Sequence, residues 1–330
     1  MTGTPLERPA APARAAAPPP DPRHGAAPVL GGGTDFVRVP PDRRYVWVPL
    51  DSRRASLSGL GLYSATRRRG RLGSAGLAAA VRVAGPRVVP FPRERWTPPM
   101  GAEAWAALVE AWRALPPHDG LALHEKPQVG RSGFGVLLMR AGRPVAFVKT
   151  RPAGGRGNEL PVLRALQEAR LPALRTPAVL AAGEVAGWTW LAQEPMPPRG
   201  RGGRRRLLDV PRFLGQVQPV LAQCLPRPAG TPEHWEPAHG DLTAWNTRVD
   251  RSGRTWVFDW EDAGWGPPGA DDTYYRATAA VLLGRPAGTA PVEAVEWWLS
   301  TVASRARTGD DAELSARLTS TLQSMRAPAL

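Results

Sequence analysis

Three polar residues on two short segments constrain this chain more than anything else in it. They are Asp241 in His239-Gly240-Asp241, Asn246 five positions on, and Asp259 in Phe258-Asp259-Trp260-Glu261. Residues 245–249 and 255–258 read as two short strands, with Asp250-Arg251-Ser252-Gly253 as the turn that joins them. Closing that hairpin sets Asn246 beside Asp259, where an amide oxygen and a carboxylate suit Mg²⁺. Asp241 then falls next to the metal, placed to accept a proton from an attacking hydroxyl. Such an arrangement points to phosphoryl transfer. A lone His-Gly-Asp or Asp-Trp-Glu tripeptide carries little information; their order and spacing together carry the reading.

The use of basic residues sharpens it. Of 43 Lys and Arg, only Lys126 and Lys149 are lysine; the only asparagines are Asn158 and Asn246, and isoleucine is absent. Lysine, asparagine and isoleucine share AT-rich codons, so a GC-rich genome is the expected cause. A lysine retained under such drift is expected to be needed as lysine, because a compact ammonium fits a tight phosphate pocket that a planar guanidinium does not. Lys149 closes the alternating apolar run Pro144-Val145-Ala146-Phe147-Val148-Lys149. The bland account of it is a solvated strand end.

Val-Ala-Phe-Val-Lys resembles the third-strand lysine segment of the protein-kinase-like fold. His-Gly-Asp-Leu with Asn246, followed by Asp-Trp-Glu, resembles the aminoglycoside phosphotransferase and choline kinase family within that fold, over residues about 121–330. The resemblance implies an α+β, two-lobed protein-kinase-like fold: a small antiparallel-sheet N-lobe, a mainly helical C-lobe, and here a poorly ordered N-terminal extension. It implies ATP and Mg²⁺, Lys149 on the phosphates, Asp241 as the catalytic base, and Asn246 and Asp259 as metal ligands. It further implies an ion pair from Lys149 to a helix glutamate, and Glu159 lies ten positions past the lysine. Glu168 is the competing candidate, and Glu159 reads equally as a first-turn acid complementing a helix dipole. His239 matches a position that braces the catalytic loop. Glu261 is open between metal, substrate and bracing, and Asp271 reads as a helix N-cap.

Other segments fall into place around these. Gly130, Gly133 and Gly135 form a glycine-rich turn before the lysine strand, where backbone N–H groups can face phosphate oxygens. Any hairpin can be glycine-rich, so position carries that reading. Residues 158–166 read as a helix with Pro161 in its first turn. Strands are expected near 177–183 and 188–193. Gln193-Glu194-Pro195-Met196 resembles the connection between lobes, with Gln193 and Met196 bordering the adenine through backbone groups. Helices are expected at 103–115, 207–225, 271–283, 292–303 and 312–325.

The activity implied is ATP-dependent transfer of the γ-phosphoryl group to a hydroxyl of a small molecule of aminoglycoside, sugar or amino-alcohol type. A protein kinase is disfavoured, since Gly240 stands where that class has arginine and no long activation segment follows Asp259. The alternative is a catalytically weak pseudokinase that binds nucleotide or acts as a scaffold.

Composition sets the outer bounds. The formal charge is +14, with 17 basic against 9 acidic residues in 1–120, 10 against 5 in 121–196 and 16 against 15 in 197–330. The excess lies away from the chemistry and no nucleic-acid-binding motif accompanies it, so a nucleic-acid partner is not expected. One cysteine, Cys224, excludes an intrachain disulfide. The domain reading is an Ala/Pro/Gly-rich disordered tail over 1–41, an extension of unassigned role over 42–120, the N-lobe over 121–196 and the helical C-lobe over 197–330. Arg67, Arg68, Arg69 and Arg71 beside small apolar residues are a candidate for an anionic membrane surface, although a solvated face is the favoured reading. No secretory signal or run of 18 apolar residues is found in the sequence, so a cytoplasmic location is expected.

Overall fold

Period-two alternation of apolar residues builds the smaller lobe, because successive side chains of a strand point to opposite faces. The computed structural model describes residues 34–40, 46–63, 68–125, 133–155, 157–172, 174–196, 208–250, 254–307 and 312–326. The tail before residue 34, Gly130, the turn residues 251–253, the arginine run at 199–206 and the side chains of the basic cluster at 67–71 lie outside the described residues. In chain order the first part contains β1 (Phe36–Val39), β2 (Val46–Pro49), α1 (Arg53–Leu60), α2 (Arg68–Ala84), α3 (Ala102–Ala111), β3 (Gly120–Glu125), β4 (Phe134–Arg140) and β5 (Arg143–Pro152). It continues with α4 (Glu159–Ala169), β6 (Leu174–Arg175), β7 (Val179–Val185) and β8 (Trp188–Gln193).

Seven of these strands form one antiparallel sheet in the order β1-β2-β3-β4-β5-β8-β7. This corrects two expectations. Phe36–Val39 lies inside the span 1–41 that composition marked as disordered, and it is a strand paired along its whole length with β2. The extension before residue 121 is also not separate from the N-lobe, since β2 pairs with β3 and continues the same sheet. A four-residue strand in Ala- and Pro-rich surroundings has no periodicity of its own to read; its partners make it a strand.

Each face of the sheet is covered differently. On one, Leu121, Leu123, Val136, Leu138, Val148 and Ala192 pack with Trp105, Leu108 and Trp112 of α3 and its 3-10 extension. On the other, Val37, Val39, Val46 and Val48 pack against Leu60 and Val81 of α1 and α2. Further along that second face α4 takes over, presenting Val162, Leu163 and Leu166 at helical spacing. Between the two covers the strand face carrying Lys149 is left to the cleft.

The larger lobe comprises α5 (Val210–Cys224), β9 (Glu236–Ala238), β10 (Thr247–Val249), β11 (Thr255–Val257), β12 (Gly264–Gly266), α6 (Ala270–Leu283), α7 (Val292–Arg307) and α8 (Ala312–Ser324). Asp209 caps α5 by accepting from the Arg212 N–H, and Pro211 occupies its first turn. Val210, Phe213, Val217 and Leu221 form its buried stripe, and they meet α4 from the small lobe. Trp298, fully buried, joins α7 to α6 and α8, with its ring stacked on Tyr274 at 3.7 Å. The fold is therefore α+β and two-lobed, an antiparallel sheet above a mainly helical body. Among the described residues no helix is long and apolar enough to cross a membrane.

Candidate active site

Two hairpin-like pairings hold the polar residues in place. β10 and β11 pair antiparallel, and beyond them the Phe258 N–H donates to the Asn246 carbonyl at 3.1 Å. That bond closes the neck of the hairpin and sets Asn246 beside the segment carrying Asp259. β9 and β12 pair with Gly264 opposite Ala238, which brings the residues after Asp259 back to the His239 loop.

His239 organises the loop from inside. It is fully buried; its Nδ1 accepts from the Asp241 N–H at 3.2 Å, and Nε2 lies 3.2 Å from the Phe258 carbonyl. Those partners call for the neutral tautomer protonated at Nε2, and burial holds the imidazole below its ordinary pKa. Its ring also packs on Trp260 at 4.4 Å. Asp271 does not cap α6, as its place in the sequence suggested; Gly269 holds the cap position. Instead the Asp271 carboxylate accepts from the N–H groups of His239 and Gly240, at 2.7 and 3.2 Å. The role is structural but is exercised on the loop rather than on the helix end.

Gly240 sits at φ +75°, and a Cβ there would collide with the Asp262 backbone carbonyl. No side chain fits, which gives a steric reason for glycine in a position where protein kinases have arginine. Gly240→Ala is expected to lower stability by roughly 2 kcal/mol or more through left-handed backbone strain and displacement of the facing 3-10 turn at Asp262. A shift in the urea midpoint with an unchanged slope will report it; a variant as stable as the parent contradicts this geometry.

Asp241 is held from both sides. Asn246 Nδ2 donates to its Oδ2 at 2.9 Å and to its carbonyl at 3.0 Å. Arg305 Nη1 donates to Oδ1 at 2.7 Å, while Nη2 reaches Asp262 Oδ2 at 3.1 Å. Burial pushes the Asp241 carboxyl up to about 6 against the opposing pull of Arg305, with Asp262 and Asp259 adding to the rise. Burial also works against the Arg305 charge, and the carboxylate of Asp241 outweighs it, keeping the guanidinium firmly protonated. Neither Arg305 nor Asp262 was foreseen. The available signal was in α7, where Val295, Trp298, Val302 and Arg305 follow one another at spacings of three, four and three. An arginine completing a buried apolar stripe needs an acidic partner.

Across the cleft Lys149 Nζ contacts two carboxylates at once. Glu159 Oε1 lies at 2.8 Å and Asp259 Oδ1 at 2.6 Å, the latter 110 positions away in sequence. Glu159, at 2% exposure, is the helix glutamate that faces the lysine. Burial disfavours the charged ammonium, but Asp259, Glu159 and Glu261 outweigh it and hold Lys149 above its ordinary pKa. Burial lifts the Glu159 carboxyl, with the Lys149 charge opposing. Asp259 adopts φ +71°, a left-handed conformation that aspartate tolerates better than most residues and that turns its carboxylate toward the lysine.

Carboxylate oxygens of Glu159, Asp259 and Glu261 lie within 4.8 Å of one another. An all-oxygen set fits a hard cation such as Mg²⁺. Glu159 and Glu261 join Asp259, and the Asn246 side chain spends its Nδ2 donor on Asp241, leaving Oδ1 as its acceptor atom.

Of the glycines proposed to cover phosphates, two are described. At Gly133, φ is +142° and a Cβ would strike the Thr150 carbonyl. Gly135 lies in β4 opposite Lys149, and a Cβ there would come 2.6 Å from Cζ of Phe147. Gln193 is the last residue of β8, 3% exposed, and Met196 follows in the connection toward the larger lobe.

Residues 199–307 match the family model described as the phosphotransferase enzyme family. Over that segment, about a third of the chain, the sequence is similar to that family. The match takes in Asp241, Asn246, Asp259 and Arg305 and ends with the last residue of α7. No curated protein matches the chain. Among solved structures, spectinomycin phosphotransferase in complex with ADP and spectinomycin is 11% identical with a TM-score of 0.44, over 70% of this chain and 96% of that one. The streptomycin–ATP ternary complex of APH(2″)-IIa is 14% identical with a TM-score of 0.42, over 70% and 98%. An aminoglycoside-3′-phosphotransferase of type VIII is 19% identical with a TM-score of 0.39, over 67% and 100%.

Proposed function

We propose that this chain is a small-molecule kinase that transfers the γ-phosphoryl group of ATP to a hydroxyl. The observation that carries the reading is the Lys149 ammonium bridging Glu159 and Asp259 from opposite lobes, with Asp241 anchored nearby by Asn246. Phosphoryl transfer asks a protein mainly for positioning and charge stabilisation. A strand lysine, a helix glutamate and a loop acid, drawn from separate elements into one cleft, supply those requirements.

In this mechanism Lys149 turns from Asp259 to the nucleotide phosphates and Glu159 keeps its ammonium aimed. Asp241 accepts the proton of the acceptor hydroxyl as the acceptor oxygen bonds to the γ-phosphorus and the bond to the leaving ADP oxygen breaks. Asn246 fixes the Asp241 carboxylate for that task. Asp259, with Asn246 and Glu261, would hold Mg²⁺, which neutralises phosphate charge. His239 and Asp271 keep the loop rigid and touch no substrate.

One observation favours the other reading, a nucleotide-binding module without turnover: Arg305 already occupies Oδ1 of the proposed base. Transfer of radiolabel from γ-labelled Mg·ATP to a panel of aminoglycosides, sugars and amino-alcohols separates the two. Labelled product from at least one acceptor is expected. Nucleotide binding with no transfer to any of them supports the module.

A further inference from the structure

Three of the five large hydrophobic residues that stand exposed among the described residues lie in one stretch of the small lobe. They are Leu72, Val83 and Val88, at 64%, 82% and 39% exposure. Leu72 and Val83 belong to α2, which packs on α1 and on the β1-β2 end of the sheet through Leu77, Ala78 and Val81. At about 3.6 residues per turn, Leu72, Gly76, Ala79 and Val83 follow one another along the opposite, outward crest, and all four are exposed. A solvated helix carries polar residues there; this crest carries none, and contiguous exposed apolar surface marks a contact. The surrounding sequence is basic without relief: residues 52–93 contain nine arginines and no Asp, Glu or Lys. Arg82 flanks the crest, exposed, and Arg53 reaches Val83 from α1, its Nη2 donating to the Val83 carbonyl at 3.4 Å. Arg87 shares a small surface pocket with Asp35 and Asp51, which offset it, so the charge beside Val83 is that of Arg53 and Arg82.

We infer that the outward face of α2 rests on an anionic lipid bilayer, with Leu72, Val83 and Val88 entering the apolar boundary and the flanking arginines meeting headgroup phosphates. Val81 is fully buried on the inner face, so α2 stays attached to its lobe and lies on the surface rather than spanning it. β3 and β4 separate β1 and β2 from β5, so the contact does not draw on the strand that carries Lys149. Two other occupants fit less well. A second copy of this face would set one basic rim against another, since arginines lie toward both ends of α2 in the sequence. A nucleic acid offers phosphates to the arginines but gives Leu72 and Val83 no apolar medium to enter.

The test is co-sedimentation of the full-length chain with vesicles of phosphatidylcholine alone and of phosphatidylcholine mixed equally with phosphatidylglycerol. Binding to the anionic vesicles is expected to be at least about tenfold tighter, since each arginine brought to such a surface is worth about fivefold. Leu72→Gln combined with Val83→Gln is expected to weaken it by at least about tenfold, through lost apolar insertion at unchanged charge. Both positions are exposed and glutamine is a good helix former, so an unchanged urea midpoint is expected; Val83→Gln alone gives the same readout, at about threefold, if the double variant folds poorly. No binding to the anionic vesicles, equal binding to the two compositions, or variants that bind like the parent overturns the inference. The last of these assigns the attraction to charge alone, as for any polyanion. A dimer in analytical ultracentrifugation that Val83→Gln dissociates assigns the face to a second copy and overturns it as well. None of these outcomes bears on the kinase reading.

Discussion

Asp241→Asn is expected to cut phosphoryl transfer by about 10²–10⁴-fold, the usual contribution of a positioned general base, while leaving nucleotide affinity within a few-fold of the parent. The substitution keeps the shape of the side chain and removes the group that takes the acceptor's proton. Nucleotide contacts assigned to Lys149 lie across the cleft, on Glu159 and Asp259, so a thermal shift with Mg·ATP should persist by mass action. The amide also presents Asn246 with a mixed donor and acceptor where a carboxylate stood, and some of the lost rate comes from that loosened orientation. Initial rates with the best acceptor, alongside melting curves with and without nucleotide, give both quantities. Undiminished transfer by the variant removes Asp241 from the mechanism.

The second large effect concerns stability. Arg305→Met is expected to destabilise the chain by about 3 kcal/mol, because removing one member of a buried charge cluster strands the others. Asp241 and Asp262 would be left near each other with the bridging guanidinium gone. The side chains involved are between 14% and 32% exposed, which keeps the expected cost at the lower end of what fully buried pairs show. Urea denaturation of the single variant measures it. Adding Asp241→Asn should recover part of the loss, since one of the two stranded anions is then neutral, and a double-mutant cycle isolates that coupling. A single variant within about 0.5 kcal/mol of the parent would show that the cluster contributes little.

What could be read in the sequence and what could not divides along chain separation. Alternation placed the strand that carries Lys149, although β5 runs on to Pro152 past the lysine, and the hairpin pattern placed Asn246 near Asp259, because both signals are local. The resemblance implied Glu159 ahead of Glu168 as the partner of the lysine, and the structure brings Glu159 to Lys149. Arg305 escaped notice because its partner is 64 residues away, and its place at the end of the α7 apolar stripe is the one local signal that sets it apart from the chain's many other arginines. Asp271 was misread for a related reason. An acid near a helix start looks like a cap, and only the folded loop reveals that its oxygens face two N–H groups some thirty positions upstream. β1 was lost in a compositional background that says nothing about strand pairing.

The two asparagines share a distinction: both side chains fasten backbone. Asn158, at the entrance to α4, donates to the Ala263 carbonyl at 2.7 Å, so the helix bearing Glu159 is tethered to the loop that follows Asp259. With α4 also packed on α5, the helix that aims the ammonium is fastened to the larger lobe at two places. Any parting of the lobes has to break the Asn158 bond, so the same tether that aligns the acids also sets a cost on opening the site.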